Sequence, residues 1–254
     1  MLVKYMYTIN LTGKTALITG GTRNIGRAIA QRLAEAGADL ALLYRRDDAT
    51  ALHAQDELRE HTGRLVHAYR LDVEDEAAVE ATIPRLCDDF PQPVSILVHN
   101  ATRHDSGGIM PAIRTQQWRD AFSVNLDAAF YLTRALLQHE SALPTGSSIV
   151  FISSGHGPAA GHTPYGSAKA GLNHFGAMLA QDVGPRGVRV NVVSPGYVRT
   201  TESGATEEEK RLIASGTALR QLCVPANVAD AVLFFASDLS AFVTGQTLQV
   251  NGGG

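Results

Sequence analysis

Apolar residues in this chain come in two spacings that alternate from one end to the other. Short unbroken runs such as Ala16-Leu17-Ile18, Leu40-Ala41-Leu42-Leu43 and Ile149-Val150-Phe151-Ile152 have the length and β-branched content of strands buried on both faces. Between them lie longer segments whose apolar positions recur at helical spacing, as in Ala28-Ile29 with Leu33-Ala34. The pattern predicts strands at 14–19, 38–44, 64–71, 94–99, 147–153, 188–194 and 247–251, with helices in the intervals. That alternation predicts an α/β fold: a doubly wound, Rossmann-type parallel sheet of seven strands with helices on both faces, in a single domain over 1–254. Ligands of such a sheet gather beyond the carboxyl ends of its strands.

Two helical segments lack a polar face. The stretch from Ala121 to Leu137 carries Phe122, Val124, Leu126, Phe130, Leu132, Leu136 and Leu137, and a segment through Leu172, Phe175, Met178 and Leu179 is similar. Helices that are apolar all round are buried on all sides, by their own chain or by a second copy of it.

Composition narrows the function. With 22 basic and 25 acidic residues the formal charge is −3, which gives no electrostatic footprint for nucleic acid. No run of about 18 uninterrupted apolar residues occurs, so no membrane span is expected. Cys87 and Cys223 are isolated thiols without metal-type spacing, and no metal site is expected. Residues 1–12 form an N-terminal extension with no secretory apolar core, so the expected location is the cytoplasm.

Two constellations carry chemistry. Thr19-Gly20-Gly21-Thr22-Arg23-Asn24-Ile25-Gly26 follows the first strand and opens a helix. A strand that runs through a glycine turn into a helix presents free N–H groups and the positive end of a helix dipole, which is a pyrophosphate site. Asn24 occupies a place where glycine is common, and asparagine tolerates positive φ. Tyr165 and Lys169 are four apart, so on a helix they share a face. At about 4 Å and an effective dielectric of about 20, the ammonium would favour the phenolate by about 4 kcal/mol, or about three pKa units. Such a phenol would titrate near 7, where acid–base catalysis works best. With 7 tyrosines and four lysines (Lys4, Lys14, Lys169, Lys210), about 0.1 such pairs arise by random placement.

These segments, with Asp72-Val73, Asn100-Ala101, Asn125, Ser154, Tyr165-Gly166-Ser167-Ala168-Lys169, Pro195 to Thr200 and Val250-Asn251-Gly252-Gly253, resemble in order and spacing the short-chain dehydrogenase/reductase family. The flavour is that of its 3-oxoacyl-thioester (acyl carrier protein) reductases. The resemblance implies an NADPH-dependent oxidoreductase that reduces a ketone to a secondary alcohol. A NAD-dependent sugar or steroid alcohol dehydrogenase, and a non-catalytic nucleotide sensor, are the alternatives. It also implies a homotetramer or homodimer paired through the two apolar helices.

By the same resemblance Tyr165 donates a proton to the carbonyl oxygen and Ser154 hydrogen-bonds that oxygen. Lys169 acts as a fixed cation holding the nicotinamide ribose, and Asn125 holds a water that links Lys169 to solvent. Ser153 is the competing serine, expected to bond backbone at the strand end. Cofactor contacts are expected from Gly20, Thr22, Arg23, Asn24, Ile25, Gly26, Tyr44, Arg45, Asp72, Val73, Asn100, Ala101, Tyr165, Lys169, Pro195, Gly196, Val198 and Thr200. Tyr44 stands where NAD-selecting relatives carry an acid, and Arg45 with Arg23 would take the 2′-phosphate of NADPH (NADP+). Arg46 reads as a solvated loop residue, and Asp72 as either an adenine contact or a cap for the helix near Asp75.

The chain departs from the family where His99-Asn100-Ala101-Thr102 replaces Asn-Asn-Ala-Gly. His99 is expected to be a satisfied core histidine, and Thr102 to narrow the pocket. Arg103, His104, His156 and His162 are candidate contacts to a small carbonyl substrate, such as a carrier-bound acyl thioester. Residues 200–220, with their run Glu207-Glu208-Glu209-Lys210, lie where related enzymes carry a substrate lid.

Overall fold

The computed structural model describes residues 8–104, 110–154, 163–201 and 204–254. Seven parallel strands, β1 (Thr15–Thr19), β2 (Asp39–Tyr44), β3 (Val66–Arg70), β4 (Val94–His99), β5 (Ser148–Ile152), β6 (Arg189–Pro195) and β7 (Thr247–Val250), pair in the order β3-β2-β1-β4-β5-β6-β7. Each lies within a residue or two of the stretch its apolar run predicts. The β1 strand is flanked by β2 on one side and β4 on the other, so the winding reverses beyond their carboxyl ends and a crevice opens there.

The apolar runs are buried on both faces because helices cover both. The side covered by α3 (Glu76–Asp88), α5 (Ala128–Gln138) and α6 (Pro164–Val183) packs Val79, Ile83, Leu132, Leu136 and Leu172 against Leu17, Leu97 and Phe151. On the other, α1 (Asn24–Glu35), α2 (Asp48–Thr62) and α8 (Pro225–Ala236) pack Ile29, Leu33, Leu58, Val232 and Phe235 against Ile18, Leu40 and Val150. Two further helices are α4 (Thr115–Phe122) and α7 (Glu207–Gly216). The latter carries a Thr206/Glu209 capping box and buries none of its residues.

The segment from Ala121 to Leu137 departs from its expected course. It is not one α-helix: α4 ends at Phe122, a π-helical turn covers Ser123–Asp127, and α5 follows. Within the single chain Phe130 on α5 is 44% exposed and Met178 on α6 46%. Among the described residues, no helix is long and apolar enough to cross a membrane.

Candidate active site

The glycine turn is built by contacts only glycine permits. Gly20 has φ +62°, and Asn24, at +49°, takes the left-handed conformation that asparagine tolerates. A Cβ on Gly26 would lie 2.0 Å from the Gly20 carbonyl oxygen and 2.7 Å from Asn100 Nδ2, so α1 packs against the strand end only because that side chain is missing. Asn100 clamps the turn. Its Nδ2 donates to the carbonyls of Thr19 (3.0 Å) and Gly20 (3.3 Å), while the backbone N–H groups of Asn100 and Ala101 donate to Thr19 Oγ1 at 2.9 and 2.7 Å. The α1 amino end thereby faces a cleft whose backbone is shaped to receive a pyrophosphate.

That cleft, about 1000 Å³, runs along the carboxyl ends of the strands. It is lined by every expected cofactor residue: Gly20 and Thr22 to Gly26 at the glycine turn, Tyr44 and Arg45 after β2, Asp72 and Val73 after β3, Asn100 and Ala101 after β4, Tyr165 and Lys169 on α6, and Pro195, Gly196, Val198 and Thr200 after β6. Ser154 and Ser153 line it too. The Ser153 hydroxyl donates to the Lys169 carbonyl at 3.2 Å and is itself buried, which leaves Ser154 as the serine whose hydroxyl is not spent on that bond.

Tyr165 and Lys169 come together because Thr163 caps α6, accepting from the Gly166 N–H, and Pro164 starts its first turn. One turn on, Lys169 is almost completely buried, with Nζ 5.7 Å from the centre of the Tyr165 ring. Nζ donates to the Ile152 carbonyl at 2.8 Å. Burial pushes the Lys169 pKa from 10.5 down to about 7. Burial thus works against the ammonium, and acceptors such as the Ile152 carbonyl favour the charged form.

Asn125 departs further. It lies in the π-helical turn, fully buried, and is not among the residues lining the cleft. Both amide hydrogens are spent, on the carbonyls of Arg103 (2.9 Å) and Ala121 (2.8 Å), and its Oδ1 accepts from the Thr102 hydroxyl at 2.7 Å. The side chain therefore braces the loop after β4 instead of presenting donors to a water beside Lys169. Thr102, the departure from glycine, lines the cleft and supplies that brace.

His99 is fully buried. Its Nε2 donates to the Val124 carbonyl (3.2 Å), so Nδ1 is the acceptor for the Thr19 hydroxyl, 3.4 Å away. Burial first, and the nearby Lys169 charge second, hold its pKa down at about 3.

At the far end of the cleft Arg45 is not held ready for a phosphate. Its Nη1 donates to Glu74 Oε2 at 2.9 Å and stands 4.0 Å from Asp72. Arg46, expected to be solvated, also lines the cleft, as does Arg23. Asp72 caps no helix, since Asp75 caps α3 while Asp72 accepts from the Glu74 N–H. Arg103 and His104 line the cleft, and the His104 ring sits 4.6 Å from that of Tyr165. His156 and His162 lie outside the described residues. Sequence reasoning missed Glu74, which belongs to no motif.

A family model described as enoyl-(acyl carrier protein) reductase matches residues 20–254. The chain belongs to the short-chain dehydrogenase/reductase family. The 3-oxoacyl-(acyl carrier protein) reductase of Escherichia coli (strain K12) is 34% identical to it, over 96% of this chain and 98% of that one. A short-chain dehydrogenase/reductase from Serratia marcescens BCRC 10948 superposes with TM-score 0.89 at 28% identity, covering 96% and 98% of the two chains. A short-chain dehydrogenase from Burkholderia cenocepacia J2315, solved in complex with NADP, gives 0.85 at 32% identity with the same coverage. This member of the family is accordingly an oxidoreductase acting on CH–OH/C=O groups with a nicotinamide dinucleotide.

Proposed function

We propose that the protein is an NADPH-dependent reductase of ketones, with 3-oxoacyl thioesters as its substrate class. The observation that carries this reading is the meeting of Tyr165, Lys169 and Ser154 in one cleft with the glycine turn. The cradle around Gly20 and Gly26 fits a dinucleotide pyrophosphate. Arg23, Arg45 and Arg46 line the other end of the cleft, and β2 closes on Tyr44 instead of an acid, which favours a 2′-phosphate over a bare ribose. The relatives' names support the substrate class: several are 3-oxoacyl-(acyl carrier protein) reductases. Exposed Phe130 and Met178 on α5 and α6 support pairing of copies, as homodimer or homotetramer.

NADPH, when bound, supplies the hydride. Tyr165 gives its proton to the carbonyl oxygen, while the Ser154 hydroxyl donates a hydrogen bond to the same atom, orienting it and stabilising the developing charge. Lys169, with one hydrogen on the Ile152 carbonyl, has its others for ribose hydroxyls and for polarising the phenol. Thr102 and Asn125 hold the loop that closes this side of the site.

The test is a panel of ketones including a 3-oxoacyl thioester, followed by loss of NADPH absorbance, with dissociation constants for NADPH and NADH measured beside it. Tighter binding of NADH, or turnover of no ketone, overturns the proposal. Tyr165→Phe should keep cofactor binding and lower turnover by a factor on the order of 10² to 10⁴; unchanged turnover would remove Tyr165 as proton donor.

A further inference from the structure

Glu74 stands where three loops and the π-helical turn converge. Its carboxylate accepts from Arg45 Nη1 (2.9 Å) after β2, from Arg103 Nη1 and Nη2 (3.0 and 2.5 Å) after β4, and from the Ser123 hydroxyl (2.8 Å) at the start of the π-helical turn. Both oxygens are thus occupied, and the side chain is 20% exposed at the wall of the cleft. Two arginines share one carboxylate. They sit at different places in the proposed chemistry, Arg45 toward the cofactor phosphate and Arg103 next to His104, whose ring packs on Tyr165.

We infer that Glu74 is a positioning residue with two opposed effects, occupying Arg45 in place of the cofactor phosphate and anchoring through Arg103 the loop that holds His104 against Tyr165. The inference rests on the proposed assignment of Arg45 to a 2′-phosphate. A phosphate dianion approaching Arg45 meets a guanidinium already paired, with a negative charge beside it, so Glu74 weakens NADPH binding and leaves NADH, which has no such phosphate, unaffected. Arg103 is held on two sides, its guanidinium by Glu74 with Asp120 at 3.7 Å and its carbonyl by Asn125 Nδ2. Without Glu74 one of those anchors is lost. His104, the next residue, would then leave the phenol ring free to turn, and reactions that depend on a fixed donor lose rate when it is misplaced. Binding and turnover should therefore move in opposite directions.

The variant is Glu74→Gln, which keeps the shape and removes the charge. Expected are an NADPH dissociation constant about 3- to 10-fold lower, an unchanged NADH constant, and a kcat about 10-fold lower with saturating NADPH. His104→Ala should reproduce the loss in kcat without the gain in NADPH affinity, and His104→Phe, which keeps a ring on Tyr165, should restore most of the rate. A defect of packing alone would weaken both cofactors together and lower the melting temperature in proportion. Weaker or unchanged NADPH binding in Glu74→Gln overturns the inference, as does an unchanged kcat. Arg45→Ala separates the two levels of the argument. If it leaves the preference for NADPH intact, the assignment of Arg45 is what fails; if it abolishes that preference while Glu74→Gln behaves like wild type, only the role of Glu74 fails.

Discussion

Replacing Lys169 by methionine should change the stability of the cofactor-free protein in a way that depends on pH. The displacement of the Lys169 pKa from 10.5 to about 7 is about 3.5 units, which at about 1.36 kcal/mol per unit is about 5 kcal/mol. Between pH 7 and 10.5 the unfolded chain holds a proton on this lysine that the folded chain lacks. Stability therefore rises with pH across that window, by about 1.36 kcal/mol per pH unit at most, and this group adds no further slope below it. Methionine has similar length and no proton, so the variant loses this slope. It also loses the 2.8 Å hydrogen bond to the Ile152 carbonyl, at a cost of about 1–3 kcal/mol.

At pH 6.5 relief of the buried charge outweighs that loss, and Lys169→Met should be more stable than wild type by about 2–4 kcal/mol. Near pH 10 wild type has shed the proton, little relief remains, and the variant should be less stable by about 1–2 kcal/mol. Urea unfolding at pH 6.5, 7.5, 8.5 and 9.5, at one protein concentration and without cofactor, measures the difference. Cys87 and Tyr69, whose pKa values burial also raises, are common to both proteins and largely cancel. A difference that stays constant with pH would refute the reasoning, because it would mean that Lys169 folds with its proton in place.

Two further predictions follow from the same geometry. If ribose hydroxyls accept from Lys169 Nζ, binding favours the ammonium, so NADPH should bind more tightly as pH falls from about 8.5 to 7, with proton uptake measurable by calorimetry in buffers of different ionisation enthalpy; release of protons would count against the contact. Gly26→Ala would drive a methyl group into the Gly20 carbonyl and Asn100, destabilising by about 3 kcal/mol or more and abolishing cofactor binding, which a thermal melt and a fluorescence titration would detect.

Strand positions were legible because parallel strands buried on both faces read as apolar runs, and the runs at 38–44 and 94–99 end within a residue of β2 and β4. The glycine turn was legible because each of its residues answers a local backbone demand, as Asn24 does at φ +49°. The break in the segment 121–137 was not, since a π-helical turn changes the hydrogen-bond register without erasing apolar periodicity. Within that turn the Asn125 amide bonds back to Ala121 and across to Arg103. Glu74 escaped for a related reason. Its partners come from positions 45, 103 and 123, and no spacing in the chain announces that loops after three strands will meet at one carboxylate.

Hydrogen bonds among Thr19, His99, Asn100, Thr102 and Asn125 build the frame of this site. Thr19 Oγ1 takes two backbone N–H groups from the end of β4 and gives its own hydrogen to His99, which ties the strands on either side of the crevice to each other. His99 passes the connection on to Val124 and the π-helical turn. Its neutrality matters for the lysine. A protonated His99 would set a second buried cation near Lys169 and drive the ammonium pKa lower still, whereas a histidine held at about 3 leaves Lys169 as the cation of the pair at neutral pH. Asn100, Thr102 and Asn125 spend their amides and hydroxyl on backbone or on one another. The phenol of Tyr165 and the hydroxyl of Ser154 line the cleft beside this hydrogen-bonded framework. Such preorganisation favours a transition state over a solvated ground state, because few dipoles must reorient as charge develops on the substrate oxygen.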